Sequence, residues 1–419
     1  MNIIAGYRCI RCGTRYPADL RLDTRGCPKC LETCPSNLRP LYPGRSNSLA
    51  DTNNHAGKSL WQYASRLPSF AGGIVSLGEG LTPLVPAGRI GQTLGVPHLF
   101  IKDESRNPTW SHKDRFSTVV VSAALSQGAK VVATASSGNA GASLAAYAAK
   151  AGLECIVVTF AGAAGAMISQ IRAYGASVFP MARKTDRWAL LEKAADQLGW
   201  FVTSPYHHPV IGSHPIGIEG YKTLAYEIVD QSDDLPDWCI LPVCYGDALT
   251  GICAGFQELL EMGRISRVPR LVAAEVHGSL SAALESGCDK IEEQEQSFKT
   301  VAVSIGTTRS TYQALKALRD TGGCAVRVSN DEIRSMQGML AAKEGIFAEL
   351  ASVAPLVAVQ RLRERQVIAQ NDRVVAIVTA SGLKDLDISI EAPRREKPFV
   401  SVEDAWKRAF ERTKADESA

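Results

Sequence analysis

Long apolar runs, net charge and a leader-like start are all missing from this 419-residue chain. No stretch approaches the ~18–20 apolar residues of a membrane span, so no membrane-embedded body is expected. With 46 basic against 43 acidic residues the formal charge is only +3, too little for a protein built to coat nucleic acid or an anionic membrane. Residues Met1 to Cys9 hold no basic segment followed by an apolar core, which predicts a cytoplasmic chain. There the 11 cysteines are expected to be reduced thiols or metal ligands and not disulfides. What is present is ordinary globular material: 45% hydrophobic and 21% charged residues exclude disordered and collagen-like classes. The length exceeds one domain of about 100–200 residues and predicts two or three units. A small-molecule enzyme, with neither nucleic acid nor membrane as partner, fits these bounds.

Five cysteines crowd between Cys9 and Cys34, whereas Cys155, Cys239, Cys244, Cys253, Cys288 and Cys324 are scattered through apolar stretches. Cys9-Ile-Arg-Cys12 and Cys27-Pro-Lys-Cys30 form two Cys-x-x-Cys pairs. Each pair lies in a tight turn that can aim two sulfurs at one centre, and two such knuckles complete a tetrahedron. Residues 1–40 therefore read as a zinc ribbon with a structural, closed metal site, the alternative being four reduced thiols without metal. Cys34 is a spare that could replace Cys30. Residues 41–75, rich in Gly, Pro, Ser and Asn, read as a connector.

From residue 76 the pattern changes. Short apolar runs at 98–102, 131–134, 155–159, 239–243, 270–275 and 374–379 alternate with Ala-rich, helix-length stretches such as 139–151, 166–174, 185–198 and 250–262. This alternation predicts an α/β architecture of open, mostly parallel sheets in two lobes over residues 76–385, followed by a tail at 386–419. Ligands then belong at the loops beyond the carboxyl ends of the strands.

Four such loops stand out. Asn107-Pro-Thr-Trp-Ser-His-Lys-Asp-Arg115 leads into an apolar helix. A lysine at a helix start faces the wrong end of the dipole, which marks Lys113 as a candidate nucleophilic amine, or else as a solvated surface lysine. Thr134-Ala-Ser-Ser-Gly-Asn-Ala-Gly141 could present backbone N–H groups to a carboxylate, or could be a simple βα turn capped by Asn. Pro242 to Gly251 is a possible phosphate cradle, provided the Asp247 side chain turns away from the anion. Thr379-Ala-Ser-Gly-Leu-Lys-Asp385 follows the last clear strand and is by itself only a turn.

Taken together with Leu77-Gly-Glu-Gly-Leu-Thr-Pro-Leu84 and Lys102-Asp-Glu104, these loops resemble the threonine synthase branch of the type II pyridoxal-phosphate enzymes. The likeness runs from about Leu77 to Asp385, and a zinc ribbon ahead of the body recurs in some relatives. The resemblance implies a two-lobed type II fold, pyridoxal 5'-phosphate as cofactor and a homodimer. It implies that Lys113 carries the cofactor and moves the proton at the substrate's Cα. Asn139 would bond the ring oxygen, and Thr379 the pyridine nitrogen. Cys244, Tyr245, Gly246, Asp247 and Ala248 would hold the cofactor phosphate, while Ser136, Ser137 and Gly138 would bind the substrate carboxylate. The implied reaction converts O-phospho-L-homoserine and water to L-threonine and phosphate. The alternatives on the same fold are a serine/threonine ammonia-lyase or a β-replacement enzyme resembling cysteate synthase.

The chain departs from that pattern in places. Cys244, Tyr245, Asp247 and Ala248 stand where Gly or Asn is common, Leu350 where Pro is common, and His112 where Phe is frequent. No lysine accompanies Met167, where relatives often have one. His112 is read mainly as a packing residue. His207, His208 and His214 are read as the mouth of the site and not as metal ligands. A helical pattern at 403–412 ends the chain.

Overall fold

The computed structural model describes residues 3–43, 59–161, 163, 165–386 and 400–408. Its strands are β1 (Gly6–Cys9), β2 (Arg15–Pro17), β3 (Leu38–Leu41), β4 (Leu84–Pro86), β5 (Leu99–Asp103), β6 (Val131–Ala135), β7 (Glu154–Phe160), β8 (Ser177–Met181), β9 (Phe201–Val202), β10 (Trp238–Pro242), β11 (Arg270–Glu275), β12 (Cys324–Arg327) and β13 (Val374–Val378). They form a three-stranded antiparallel sheet β2-β1-β3, a six-stranded sheet β12-β11-β10-β13-β5-β4 and a four-stranded sheet β8-β7-β6-β9. The four-stranded sheet is parallel throughout, and the six-stranded one departs from parallel only at the β4–β5 edge. The α/β architecture expected from the strand and helix alternation is the observed one.

The apolar runs are continuous because both sheet faces are covered. Along β13, Val374, Ala376 and Val378 enter one core while Val375 and Ile377 enter the other. In β10, Trp238 and Ile240 part from Cys239 and Leu241 in the same way. This two-residue period divides the larger lobe into two cores. Residues 177–181 were not picked out in the sequence because β8 is an edge strand whose side chains stay largely outside the core.

Two features position the cleft. Strand β13 lies between β10 and β5, so the loop after β13 is flanked by the segments that leave those two strands. Beneath them, Arg115 spans two buried carboxylates, with Nε 2.7 Å from Glu104 and Nη1 2.6 Å from Glu227, and Lys102 Nζ lies 2.7 Å from Glu227. Burial alone would raise the Glu104 and Glu227 carboxyls, but the Arg115 guanidinium beside them holds both below their usual range. The cluster balances two cations with two anions and pins the Lys113–Ser126 helix against β5. Removing one member would leave a buried charge uncompensated, at a cost of about 3–5 kcal/mol.

Within the stretch read as a connector, Leu60–Arg66 forms a buried helical turn whose Trp61 Nε1 donates to Thr118 Oγ1 at 2.8 Å. The 403–412 helical pattern is described only as far as residue 408, and the rest of it lies outside the described residues. No helix among the described residues is long and apolar enough to cross a membrane.

Candidate active site

Lys113 is the first residue of its helix, as its sequence context suggested. The segment before it is joined to the loop after β13. Ser111 bridges Ala380, the His112 N–H donates to the Thr379 carbonyl at 2.8 Å, and the Ser381 N–H donates to the Trp110 carbonyl at 3.1 Å. Lys113 Nζ lies 5.8 Å from the centre of the Tyr221 ring, and His112 stacks on the same ring at 5.5 Å. Desolvation, with the Lys113 and Arg115 charges nearby, drives the His112 imidazole well below its usual pKa, so the ring is neutral at pH 7 and forms a wall. Thr379 is 5% exposed, and its hydroxyl lies 2.8 Å from Ser352 Oγ, which also accepts the Ala380 N–H.

The loop after β6 closes the opposite side. Ser136 Oγ accepts the N–H groups of Gly138 at 3.2 Å and Gly141 at 3.0 Å, so this side chain braces the loop from inside. Ser137 and Gly138 remain partly exposed, and Asn139 opens the Asn139–Ala151 helix. Asn139 is buried; its Nδ2 donates to Glu349 Oε2 at 2.6 Å while its Oδ1 has no partner among the described residues. Glu349 also accepts from the Ser304 hydroxyl. Burial raises the Glu349 carboxyl, opposed by the Ser304 and Asn139 hydrogen bonds and by the charges of Lys384 and Lys113.

In the loop after β10, Asp247 is held by its side chain. Its carboxylate accepts the Ser213 N–H at 3.1 and 3.2 Å and the Ser213 hydroxyl at 2.7 Å. The Asp247–Glu261 helix begins three residues earlier than its apolar pattern suggested, because Gly246 caps it in the left-handed region at φ 91°. A Cβ on Gly246 would sit 2.2 Å from that of Ala314. The Tyr245 carbonyl is tied back by Thr311 Oγ1 at 2.6 Å and Ser310 Oγ at 3.2 Å. Cys244, Asp247 and Glu349 all lie within the field of the Lys113 amine.

The structure thus brings Lys113, Asn139, Thr379 and the 244–248 loop into one neighbourhood, each on a segment that leaves the carboxyl end of a strand. The sequence reading did not single out Ser213, Glu349, Ser352 or Lys384. The signal for Glu349 was a lone acid inside the otherwise uncharged stretch 345–354. Lys384 meets the helix that carries Met167: its Nζ donates to Gln170 Oε1 at 2.6 Å.

Cys9, Cys12, Cys27 and Cys30 form a separate centre, with all four sulfurs within 4.8 Å of one another. The Cys9–Cys30 and Cys12–Cys27 separations are both 3.8 Å. Cys34 stays outside this cluster and exposed. His207 and His208 join no metal-ligating cluster among the described residues; His208 packs on Trp188 with ring centres 4.3 Å apart, and His214 packs on Phe201.

A family model described as "Pyridoxal-phosphate dependent enzyme" matches residues 75–380. The chain belongs to this family. The threonine synthase of Methanocaldococcus jannaschii is 34% identical over 392 residues, covering 92% of this chain and 94% of that protein. The threonine synthase of a Bacillus species is 37% identical over 346 residues, covering 82% and 94%. Among solved structures, maize serine racemase superposes with a TM-score of 0.62 at 19% identity over 80% of this chain and 93% of that one, a likeness of fold. The donor set of this pyridoxal-phosphate dependent enzyme fits the cofactor. It offers a lysine amine, an orphaned buried oxygen on Asn139, a hydroxyl at Thr379, and a helix start whose glycine leaves no room for a Cβ.

Proposed function

We propose that the protein is a threonine synthase converting O-phospho-L-homoserine and water to L-threonine and phosphate. The observation that carries this reading is the likeness to threonine synthases over almost the whole chain. Lys113 would hold the cofactor, Asn139 and Thr379 its ring, and the backbone N–H groups of Cys244, Tyr245, Gly246, Asp247 and Ala248 its phosphate at the helix N-terminus. When bound, the cofactor supplies an electron sink that makes the substrate's Cα–H acidic.

The chain's own groups do the rest. On a loop braced by Ser136, which takes the Gly138 and Gly141 N–H groups, Ser137 would receive the carboxylate through its backbone N–H beside a helix start, with Gly138 leaving room for it. Lys113 Nζ would withdraw the Cα proton and later return one to Cα. A second proton leaves Cβ and phosphate departs from Cγ with the electron pair of the C–O bond; a proton then adds at Cγ, hydroxide from water adds at Cβ and a proton returns to Cα, while the remaining proton leaves with the phosphate. The neutral His112 and the Tyr221 ring wall this space and limit stray water.

The Cys9, Cys12, Cys27 and Cys30 sulfurs suit zinc. Ligands at about 2.3 Å on a tetrahedron stand about 3.8 Å apart, the separation seen in both close pairs. In this reading residues 1–40 are a structural zinc ribbon, 41–75 a connector, 76–385 the catalytic body and 386–419 a tail. The holoenzyme is a cytoplasmic homodimer. Lys113→Ala tests the core of the proposal: turnover should vanish together with the visible absorption of covalently held cofactor. A variant with full activity would refute the role of Lys113.

A further inference from the structure

The described residues contain five lysines or arginines that are buried: Arg66, Lys102, Arg115, Lys222 and Lys384. Four of them face a carboxylate within 4 Å: Arg66 faces Glu258, Lys102 faces Glu227, Arg115 faces Glu104 and Glu227, and Lys222 faces Glu219 and Glu258. Lys384 alone does not. It is 3% exposed, its Nζ donates to the neutral amide of Gln170, and it stands 5.9 Å from the centre of the Trp110 ring. The carboxylates of Glu349 and Asp114 act on it only from beyond ion-pair distance. An ammonium withdrawn from water without a counter-ion is unfavourable, so this amine lacks an anion that the chain itself does not supply.

Its surroundings say where that anion comes from. Gln170 shares a helix with Met167, and Met167 Sδ lies 3.4 Å from where a Cβ on Gly138 would stand. Trp110 precedes Lys113 by three residues, and Glu349 is bound to Asn139. The amine therefore stands beside the helix that approaches Gly138, the segment that leads into Lys113 and the carboxylate that holds Asn139. Gln170 anchors Nζ without neutralising it.

We propose that Lys384 receives the distal phosphate of the substrate, and so sets selectivity for amino acids that carry a tetrahedral oxyanion at the end of the side chain. This inference rests on the reading of the site as one that binds a phosphorylated amino acid. As phosphate leaves Cγ with the C–O electron pair, the ammonium offsets the added charge and keeps its proton.

The test uses two inert ligands on the holoenzyme, L-2-amino-5-phosphonopentanoate and L-norvaline, titrated against the cofactor's visible absorption. Lys384→Met should weaken the phosphonate by about tenfold or more and leave norvaline within about twofold, while Lys384→Arg keeps most of the selectivity. On wild-type protein, inorganic phosphate should compete with the phosphonate and not with norvaline. Equal loss of both ligands, which a mere latch between the lobes would give, overturns the proposal. So does unchanged phosphonate affinity, or indifference to inorganic phosphate. Because neither ligand is turned over, selective loss of the phosphonate in a protein inactive on O-phosphohomoserine would sink the reaction and leave the anion site standing.

Discussion

The Ser213 N–H and hydroxyl both donate to the Asp247 carboxylate, the hydroxyl at 2.7 Å. Asn37 of the cysteine-bearing module in turn donates Nδ2 to the Ser213 carbonyl at 2.9 Å. An acid pointed at a phosphate would repel it, so if this loop holds the cofactor phosphate as proposed, the Ser213 contact keeps Asp247 compatible with it. Ser213→Ala should free the carboxylate and weaken pyridoxal phosphate by about tenfold, read by absorption titration of the apoprotein. Undiminished affinity would show that the backbone alone fixes Asp247.

The same chain of contacts links the cysteine module to the loop after β10, the proposed cofactor-phosphate site. Thr24 also donates to the Ser204 carbonyl at 3.0 Å, and Arg25 lies 2.8 Å from Asp196. Removing zinc with a chelator should lower the melting temperature and also reduce cofactor affinity. Cys27→Ser should reproduce both effects. Chelation that changes neither would count against a structural metal.

Gly246 is required on two grounds, its φ of 91° and the absence of space beside Ala314. Gly246→Ala should cost about 1–3 kcal/mol of local strain and show as weakened cofactor binding with unchanged far-ultraviolet circular dichroism. Adding Ala314→Gly should restore part of the loss, because the clash would be gone while the strained φ remains. A double variant no better than the single one would leave the backbone conformation as the whole cause.

Burial lowers the Lys384 ammonium to about 8, opposed by the charges of Glu349 and Asp114. The amine is thus protonated below that pH and neutral above it. Affinity for the phosphonate ligand should fall as pH rises through about 8, and Lys384→Met should flatten that part of the profile. A slope that persists in the variant would assign the titration to another group.

Much of this was legible in the sequence because it is local. The helix start at Lys113, the Asn139–Ala151 helix and the alternating faces of β10 and β13 follow from residues close along the chain. The spacing of Cys9, Cys12, Cys27 and Cys30 likewise led to a cluster that the fold does assemble. The side chains that tune the site were not legible, since each acts across a long separation. Glu349 meets Asn139 across 210 positions, and Lys384 meets Gln170 across 214. Asp247 shows the same limit: its charge is visible in the sequence, but its direction depends on Ser213, 34 residues away. The start of the Asp247–Glu261 helix was misjudged because a left-handed glycine, Gly246, and not an apolar residue, sets it.

The most direct test of the account is a product analysis of purified holoenzyme given O-phospho-L-homoserine, with serine, threonine and O-phosphoserine in parallel. A threonine synthase gives threonine and inorganic phosphate in equal amounts from O-phospho-L-homoserine. Keto acid and ammonia without threonine, or turnover of serine or O-phosphoserine in its place, would contradict it.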